Sequence, residues 1–301
     1  MHFAYLRQSP IYHTPEDGAD AVDLGSLQHH GEHALAVAGR FGAADLSVEP
    51  PNGSDVFFTV GSAWVVRYPE RWAPFVAIAT ALLFGLAVTT GRGRSIRSVG
   101  GGAASFLLAL IAGALLAAVA WRLVTSVRSS PGIAESYAYL AAMLAVLAGS
   151  AGIARRAAVR RSADWAGGVV LVWVALGLAT GLALPAMSYV FTWPALCGVL
   201  AVIWTDGRPG VFGLRRLALL VVVAGPALIL AIPAIDTLFQ LAQPRPGNLD
   251  SQVVEVVGLV VVMGMLVIEL LLVPLRSGMP DPPLEPAGNR IDTEMVAAPV
   301  A

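Results

Sequence analysis

The sequence predicts a mainly α-helical, polytopic membrane protein, and three observations lead to this fold class. Apolar residues make up 56% of the chain and charged residues only 13%, whereas about 25% of the residues in soluble domains are charged. The apolar residues are concentrated between residues 72 and 275 in long runs, and a bilayer core takes about 20 residues of helix to cross. Arginines lie in alternate connections between these runs. Together these features exclude a soluble globular domain.

The apolar region predicts a transmembrane bundle of about seven spans. Their predicted bounds are residues 72–90, 99–121, 137–154, 165–184, 186–204, 217–235 and 252–275. Prolines fall inside some of these spans, at Pro194, Pro226 and Pro233. Such prolines are tolerated where neighbouring helices satisfy the backbone groups they leave free. Three consecutive glycines, residues 100–102, open the second span and indicate close packing between helices.

The arginines predict the orientation of the bundle. They cluster after the first, third and fifth spans, at Arg92, Arg94, Arg97, Arg155, Arg156, Arg160, Arg161, Arg208, Arg215 and Arg216. The other connections hold only Arg122, Arg128 and Arg245. Basic loops stay on the cytoplasmic side, so we expect residues 1–71 outside the cytoplasm and the C-terminal tail inside it.

Composition also limits the partners and the source of the chain. All 19 basic residues are arginine and the net charge is -1, which does not favour a nucleic-acid partner. The expected partner of the spans is the lipid bilayer. An alanine-rich chain without lysine is typical of a GC-rich bacterial genome, and we therefore expect a multi-pass protein of a bacterial cell membrane.

The first 71 residues are mixed in character and contain one predicted helix. Asp23 or Ser26 is positioned to cap a helix that runs to about Phe41, because short polar side chains accept hydrogen bonds from the first turn. Two prolines and a Pro-Glu-Asp-Gly turn make residues 10–18 a loop that presents His13. Residues 56–66 are expected to form a short strand or an interfacial segment. Because one helix cannot bury a core alone, we expect the end of a larger domain here.

Residues 12–42, YHTPEDGADAVDLGSLQHHGEHALAVAGRFG, resemble the closing segment of the catalytic domain in family twenty-eight of the metallopeptidases. The similarity is to its membrane-embedded branch, the vacuolar membrane proteases and Fxna-type endoplasmic reticulum metallopeptidases. Residues 188–196, SYVFTWPAL, are also similar to the bundles of that branch.

This resemblance implies four zones. Residues 1–42 would be the C-terminal remnant of an α/β zinc-peptidase domain, and residues 43–71 an external linker. Residues 72–275 would be the transmembrane bundle and residues 276–301 a disordered cytoplasmic tail. The implied function is the membrane-anchoring portion of a zinc-dependent aminopeptidase, which hydrolyses peptides with metal-activated water.

By the same resemblance, His13 would be the last ligand of a two-zinc site. Such a site takes about five protein ligands and a glutamate base. The twelve residues before His13 contain no Asp, Glu or Cys, so we expect this chain alone not to bind catalytic zinc and to be inactive. An upstream-encoded peptidase half would then complete the site for peptide substrates, and the chain would be a split, truncated or mis-started product. From the residues alone, a loop histidine that donates to a nearby carbonyl remains open.

Two further candidates have structural alternatives. His29 and His33 are four residues apart on the predicted helix and could face one metal ion. However, Gly31 weakens the helix and Glu32 is not placed as in a zincin motif, so a solvated or partly packed histidine face is favoured. Glu269 lies inside an apolar run, where a carboxylate often marks a pathway. The favoured alternative is a side chain that reaches the interface or pairs with an arginine of an inner loop.

Four other acidic residues lie at the ends of predicted spans, and the sequence also allows functions other than a peptidase. Carboxylates at span ends are expected to be solvated: Glu135, Asp164, Asp236 and Glu255. The alternative to the peptidase is a non-catalytic polytopic scaffold or a transport-type protein. A secondary transporter predicts inverted repeats, and no repeat is visible in the sequence.

Overall fold

The structure is a computed structural model. It describes residues 18–45, 47, 54–60, 64–91, 94–127, 133–160, 163–205, 218, 221–223, 225–230, 232–233, 235 and 262–273.

Helices dominate the described residues, with one β-hairpin before the bundle. In chain order the elements are α1 (Leu24–Gly42), β1 (Asp55–Val60), β2 (Trp64–Pro69), α2 (Trp72–Thr90), α3 (Ile96–Val127), α4 (Ile133–Arg160), α5 (Trp165–Ala183), α6 (Tyr189–Thr205), α7 (Val221–Leu230) and α8 (Val262–Val273). A short 3-10 helix, Pro185–Met187, joins α5 to α6. The predicted mainly-α membrane helix bundle is confirmed.

Each predicted span coincides with an apolar helix in the part of the chain that the structure describes. Four helices are long and apolar enough to cross a membrane: α2, Ile96–Ala120 of α3, Ala141–Arg160 of α4, and α5. Helices α6, α7 and α8 are apolar but shorter, at 10–17 residues. The fifth span begins at Tyr189 instead of residue 186, because Pro185–Met187 forms the separate 3-10 turn.

Helices α5 and α8 lie at the centre of the bundle. Every described residue of α8 is at least half-buried, and Met265, Leu266 and Leu270 are fully buried. The indole N–H of Trp173, a buried residue of α5, donates to the Leu266 carbonyl oxygen at 3.0 Å. Trp165 of α5 also contacts Glu269 of α8. From the first contact to the second, the residue number decreases along α5 and increases along α8. The two helices are therefore antiparallel.

Glycines set how closely the helices approach. A Cβ atom on Gly168 of α5 would overlap the backbone of Gly102 and Ala103 in α3. A Cβ atom on Gly198 of α6 would come within 2.8 Å of the Leu270 side chain in α8. The close packing predicted from residues 100–102 is confirmed at Gly102.

Helix α1 begins where the capping pattern predicts. Asp23 is its N-cap and accepts a hydrogen bond from the Ser26 N–H at 2.7 Å, so Ser26 lies inside the helix. The helix ends at Gly42, one residue beyond the predicted end. None of its residues is buried.

A β-hairpin replaces the single strand expected over residues 56–66. Strands β1 and β2 are antiparallel, with Val56 opposite Tyr68 and Phe58 opposite Val66. Val56 is fully buried, which shows that one face of the hairpin packs on the protein. Gly61 and Ser62 stand between the strands in the sequence and are typical of turns, a signal that would have divided the segment.

Candidate functional site

A polar cluster at one end of the bundle joins three separate parts of the chain. Its members are Arg94 before α3, Asp164 and Trp165 at the start of α5, and Glu269 in α8. We call these four residues the polar end cluster. Charged groups in such apolar surroundings are costly unless they are paired or hydrogen-bonded, so their partners decide what the cluster can do.

Asp164 has two structural roles. Its carboxylate caps α5, accepting from the Gly167 N–H at 2.9 Å, and it accepts from Arg94 Nε at 3.1 Å. The side chains of Arg94 and Asp164 are only 11% and 19% exposed. The expectation that Asp164 is solvated is therefore wrong. The close crossing of α3 and α5 presses this connection against α3, where the Asp164 N–H donates to the Ser98 carbonyl at 3.0 Å.

Arg94 also reaches the end of α6. Its Nη1 lies 3.4 Å from the carbonyl oxygen of Val202, in the last turn of that helix. The carbonyls of a last helical turn carry partial negative charge and favour a cation. Arg94 thus connects the start of α5 to the end of α6.

Glu269 lies inside the bundle, with 1% of its surface exposed. The Trp165 indole N–H donates to Glu269 Oε2 at 2.8 Å. The Phe106 ring packs edge-on against Trp165, with ring centroids 5.6 Å apart, and shields this contact. The expectation that the carboxylate reaches the interface is therefore wrong, and its pairing with an arginine of an inner loop stays a prediction. A carboxyl group held this way fastens α8 to α5.

The opposite end of the bundle carries a second polar and aromatic contact, between the hairpin and α6. Phe58 stacks on Tyr189 with ring centroids 4.7 Å apart, and Tyr68 meets Trp193 edge-on at 6.4 Å. Burial raises the pKa of the Tyr68 phenol, and the nearby Trp193 and Ser188 side chains oppose this rise. The phenol therefore stays neutral at physiological pH. The segment 188–196 supplies the α6 side of this contact.

The predicted metal-site residues divide into two groups. His13 lies outside the described residues. His29 and His33 are exposed on α1 with ring centroids 4.0 Å apart, as their spacing predicts. Among the residues described, no three His, Cys, Asp or Glu side chains come together to hold a metal ion. This part of the chain does not itself present a zinc-binding set.

Two residues of the polar end cluster, Arg94 and Trp165, were not recognised as partners from the sequence. Each had a signal of another kind. Arg94 belongs to a basic connection, and Trp165 lies at a span end, where an aromatic belt is expected. Their partners lie 70 and 104 positions away along the chain, which no local pattern can indicate.

Comparison with known proteins gives partial similarity to metallopeptidases of the endoplasmic reticulum. The chain is 36% identical over 74 residues to endoplasmic reticulum metallopeptidase 1 of Rattus norvegicus and to that of Mus musculus. It is 32% identical over 74 residues to the Homo sapiens protein. The matched segment is 24% of this chain and spans only 8% of the length of each relative. No family model and no solved structure matches the chain.

Proposed function

We propose that this chain is the membrane-anchoring portion of a zinc-dependent aminopeptidase. The 74-residue similarity to endoplasmic reticulum metallopeptidase 1 carries this proposal. The helix bundle supports an anchoring role, because four of its helices are long and apolar enough to cross a membrane.

In this proposal His13 contributes one zinc ligand and the others come from outside this sequence. The sequence contains no His-x-Asp and no Glu-Glu pair, the carboxylate and imidazole groups that the resemblance requires. A two-zinc site needs several carboxylate and imidazole ligands. Residues encoded upstream of this sequence would supply them and carry the peptide-binding surface.

Co-expression tests this proposal. The full chain is produced with the product of the neighbouring upstream reading frame, and zinc content and cleavage of aminoacyl reporter peptides are measured on the purified complex. We expect about two zinc ions per complex and aminopeptidase activity, both reduced by His13→Ala. His33→Ala is the matched control, because His33 is exposed on α1 and should leave both values unchanged.

Either of two results overturns the proposal. One is a complex that is free of zinc and inactive. The other is an upstream region that encodes no remaining ligands, together with a purified chain that binds no zinc.

The buried carboxyl group of Glu269 favours a transport-type protein as the second candidate. Ionisable groups inside membrane helices often mark ion or proton pathways, and Glu269 is 1% exposed at the centre of the bundle. Flux of protons or cations into vesicles containing the full chain would support this candidate if Glu269→Gln abolished it. Unchanged flux in that variant would leave Glu269 with its structural role only.

A further inference from the structure

The hairpin exposes three large apolar side chains. Phe57 is 68% exposed, Trp64 76% and Val65 65%. We call these three residues the hairpin apolar surface. Phe57 and Val65 lie on the outward face of the two strands, opposite to the buried Val56. Trp64 pairs with Val60 and so lies on the same face as Val56, but at the far end of the ladder, where it is exposed.

The base of the hairpin lies at the level of the first turns of α2 and α6. Its base is closed by a hydrogen bond from the Glu70 N–H to the Ser54 carbonyl at 2.9 Å, two residues before α2 begins. Tyr68, near this base, packs on Trp193. Trp193 is four residues inside α6, which places it about 6 Å along the helix axis. The hairpin base is therefore beside α6 and not displaced into bulk solvent.

The hairpin apolar surface continues the lipid-facing surface of the bundle. Trp72 and Phe75, in the first turn of α2, are both exposed, and α2 follows the hairpin directly. Tryptophan concentrates at the membrane interface, where its apolar ring and polar N–H both find partners. Arg67 is exposed on the same outward face, ion-paired with Asp55, and its guanidinium suits contact with lipid phosphate.

We propose that the hairpin apolar surface lies in the headgroup region of the adjacent bilayer leaflet, with a lipid surface as its partner. The headgroup region borders the ends of the spans, and the base of the hairpin lies at that level, beside the first turns of α2 and α6. Contact with α6 fixes the inner face of the hairpin, and lipid covers the outer face. This inference is independent of any peptidase activity.

One consequence concerns helix α1, which precedes the hairpin. Thirteen residue steps separate Gly42 from Asp55, and an extended chain covers at most about 45 Å over that distance. A hairpin held at the bilayer surface thus confines α1, and any domain of which it is part, to the vicinity of that surface.

Spin-label accessibility in bilayers tests the proposal. The full chain, carrying Cys197→Ala, is reconstituted into vesicles of phosphatidylcholine and phosphatidylglycerol with one label at Trp64→Cys or Phe57→Cys. Collisions with oxygen, which partitions into lipid, are compared with collisions with a water-soluble nickel chelate. Leu82→Cys, exposed within α2, is the lipid reference, and Glu32→Cys, exposed on α1, is the aqueous reference.

We expect labels at 57 and 64 to give oxygen-to-nickel ratios between those of the two references. A ratio equal to that at position 32 means that the surface faces water and overturns the proposal. Labels shielded from both reagents would show a protein partner in place of lipid and would also overturn it.

A second measurement uses the wild-type fold with a conservative change. Brominated lipids quench tryptophans that contact the bilayer, so Trp64→Phe should lower the quenched fraction of the fluorescence. An unchanged or larger quenched fraction in this variant contradicts the proposal.

Discussion

Glu269 shows how one carboxyl group is held inside an apolar bundle. Removing it from water is costly, and the cost is offset only where hydrogen bonds replace those to water. The Trp165 indole supplies one of these bonds at 2.8 Å. Because the donor is itself buried, removing the acceptor leaves a buried N–H group without this partner, which is more costly than the bond is stabilising.

We expect Glu269→Ala to destabilise the bundle by about 2–4 kcal/mol, from the lost acceptor and the cavity left behind. Glu269→Gln keeps an acceptor oxygen and nearly the same volume, so its cost should be clearly smaller. Thermal unfolding of both variants in the same detergent measures this difference. Equal losses in the two variants would show that the negative charge, and not the hydrogen bond from Trp165, holds Glu269 in place.

Two substitutions of Asp164 can separate the stability contributed by its helix cap from that contributed by its ion pair. Asp164→Asn retains a cap acceptor for the Gly167 N–H but loses the charge opposite Arg94, whereas Asp164→Ala loses both. We expect the alanine variant to be less stable than the asparagine variant by about 1 kcal/mol, the usual value of an N-cap. Asp23→Ala removes the exposed cap of α1 and, as the control, should leave unfolding of the bundle unchanged. If asparagine and alanine at 164 are equally unstable, the cap contributes nothing.

These pairings mark what the residue pattern could not predict. The sequence placed Asp164 and Glu269 correctly at a span end and in an apolar run, because hydropathy is a local property. Their exposure depends on partners that are distant in sequence, Arg94 and Trp165, and so became visible only in the fold.

At the scale of elements, the approach of α3 to α5 organises one half of the bundle. Membrane helices associate without a hydrophobic driving force between them, so small residues at the contact allow dispersion and backbone contacts to form. Gly102 and Gly168 face each other at this crossing, and a side chain on either would overlap the backbone of the other helix. The run at residues 100–102 predicted such a contact, but only the structure shows that its third glycine makes it.

We expect Gly168→Ala to prevent correct assembly of the bundle, because its Cβ would meet backbone atoms, which cannot move aside as a flexible side chain can. Gly100→Ala is the matched control on α3, since nothing lies within 4 Å of its added Cβ. There the gain in helix propensity, up to about 1 kcal/mol, should leave the protein equally or more stable. Size-exclusion profiles and thermal unfolding in detergent distinguish the two. Equal behaviour of the variants would mean that α3 and α5 are further apart than this crossing requires.

Helix boundaries were predicted correctly where the sequence changes sharply between polar and apolar residues. The first predicted span coincides with α2 from Trp72 to Thr90, because apolar sequence begins and ends sharply there. The hairpin was missed because residues 56–66 are apolar on both sides of Gly61, and pairing between its strands is a tertiary fact. The residue pattern predicted a helix that ends at about Phe41, one residue from its end at Gly42, but left its surroundings open.

At the scale of the whole molecule, the contacts of the polar end cluster fix which helix ends lie together. The end of α2, the start of α3, the end of α4, the start of α5 and the ends of α6 and α8 converge there. Helix α8 runs antiparallel to α5, so it is parallel to α6. Among the described helices, α7 is the one that lies between α6 and α8 in the sequence.

This alternation, combined with the arginine distribution, predicts the orientation of the bundle. The described arginines of these connections fall at the end that carries Asp164: Arg94, Arg97, Arg155, Arg156 and Arg160. Basic connections remain on the cytoplasmic side. We expect green fluorescent protein fused to the C-terminus to fluoresce in bacteria and alkaline phosphatase fused there to be inactive.

Thiol labelling tests the same orientation. In Cys197→Ala protein, a membrane-impermeant thiol reagent should label Glu32→Cys from outside the cell. The same reagent should leave Ser95→Cys, in the basic connection before α3, unlabelled until the cells are opened. The reverse pattern would place the arginines outside, and the hairpin would then meet the cytoplasmic leaflet.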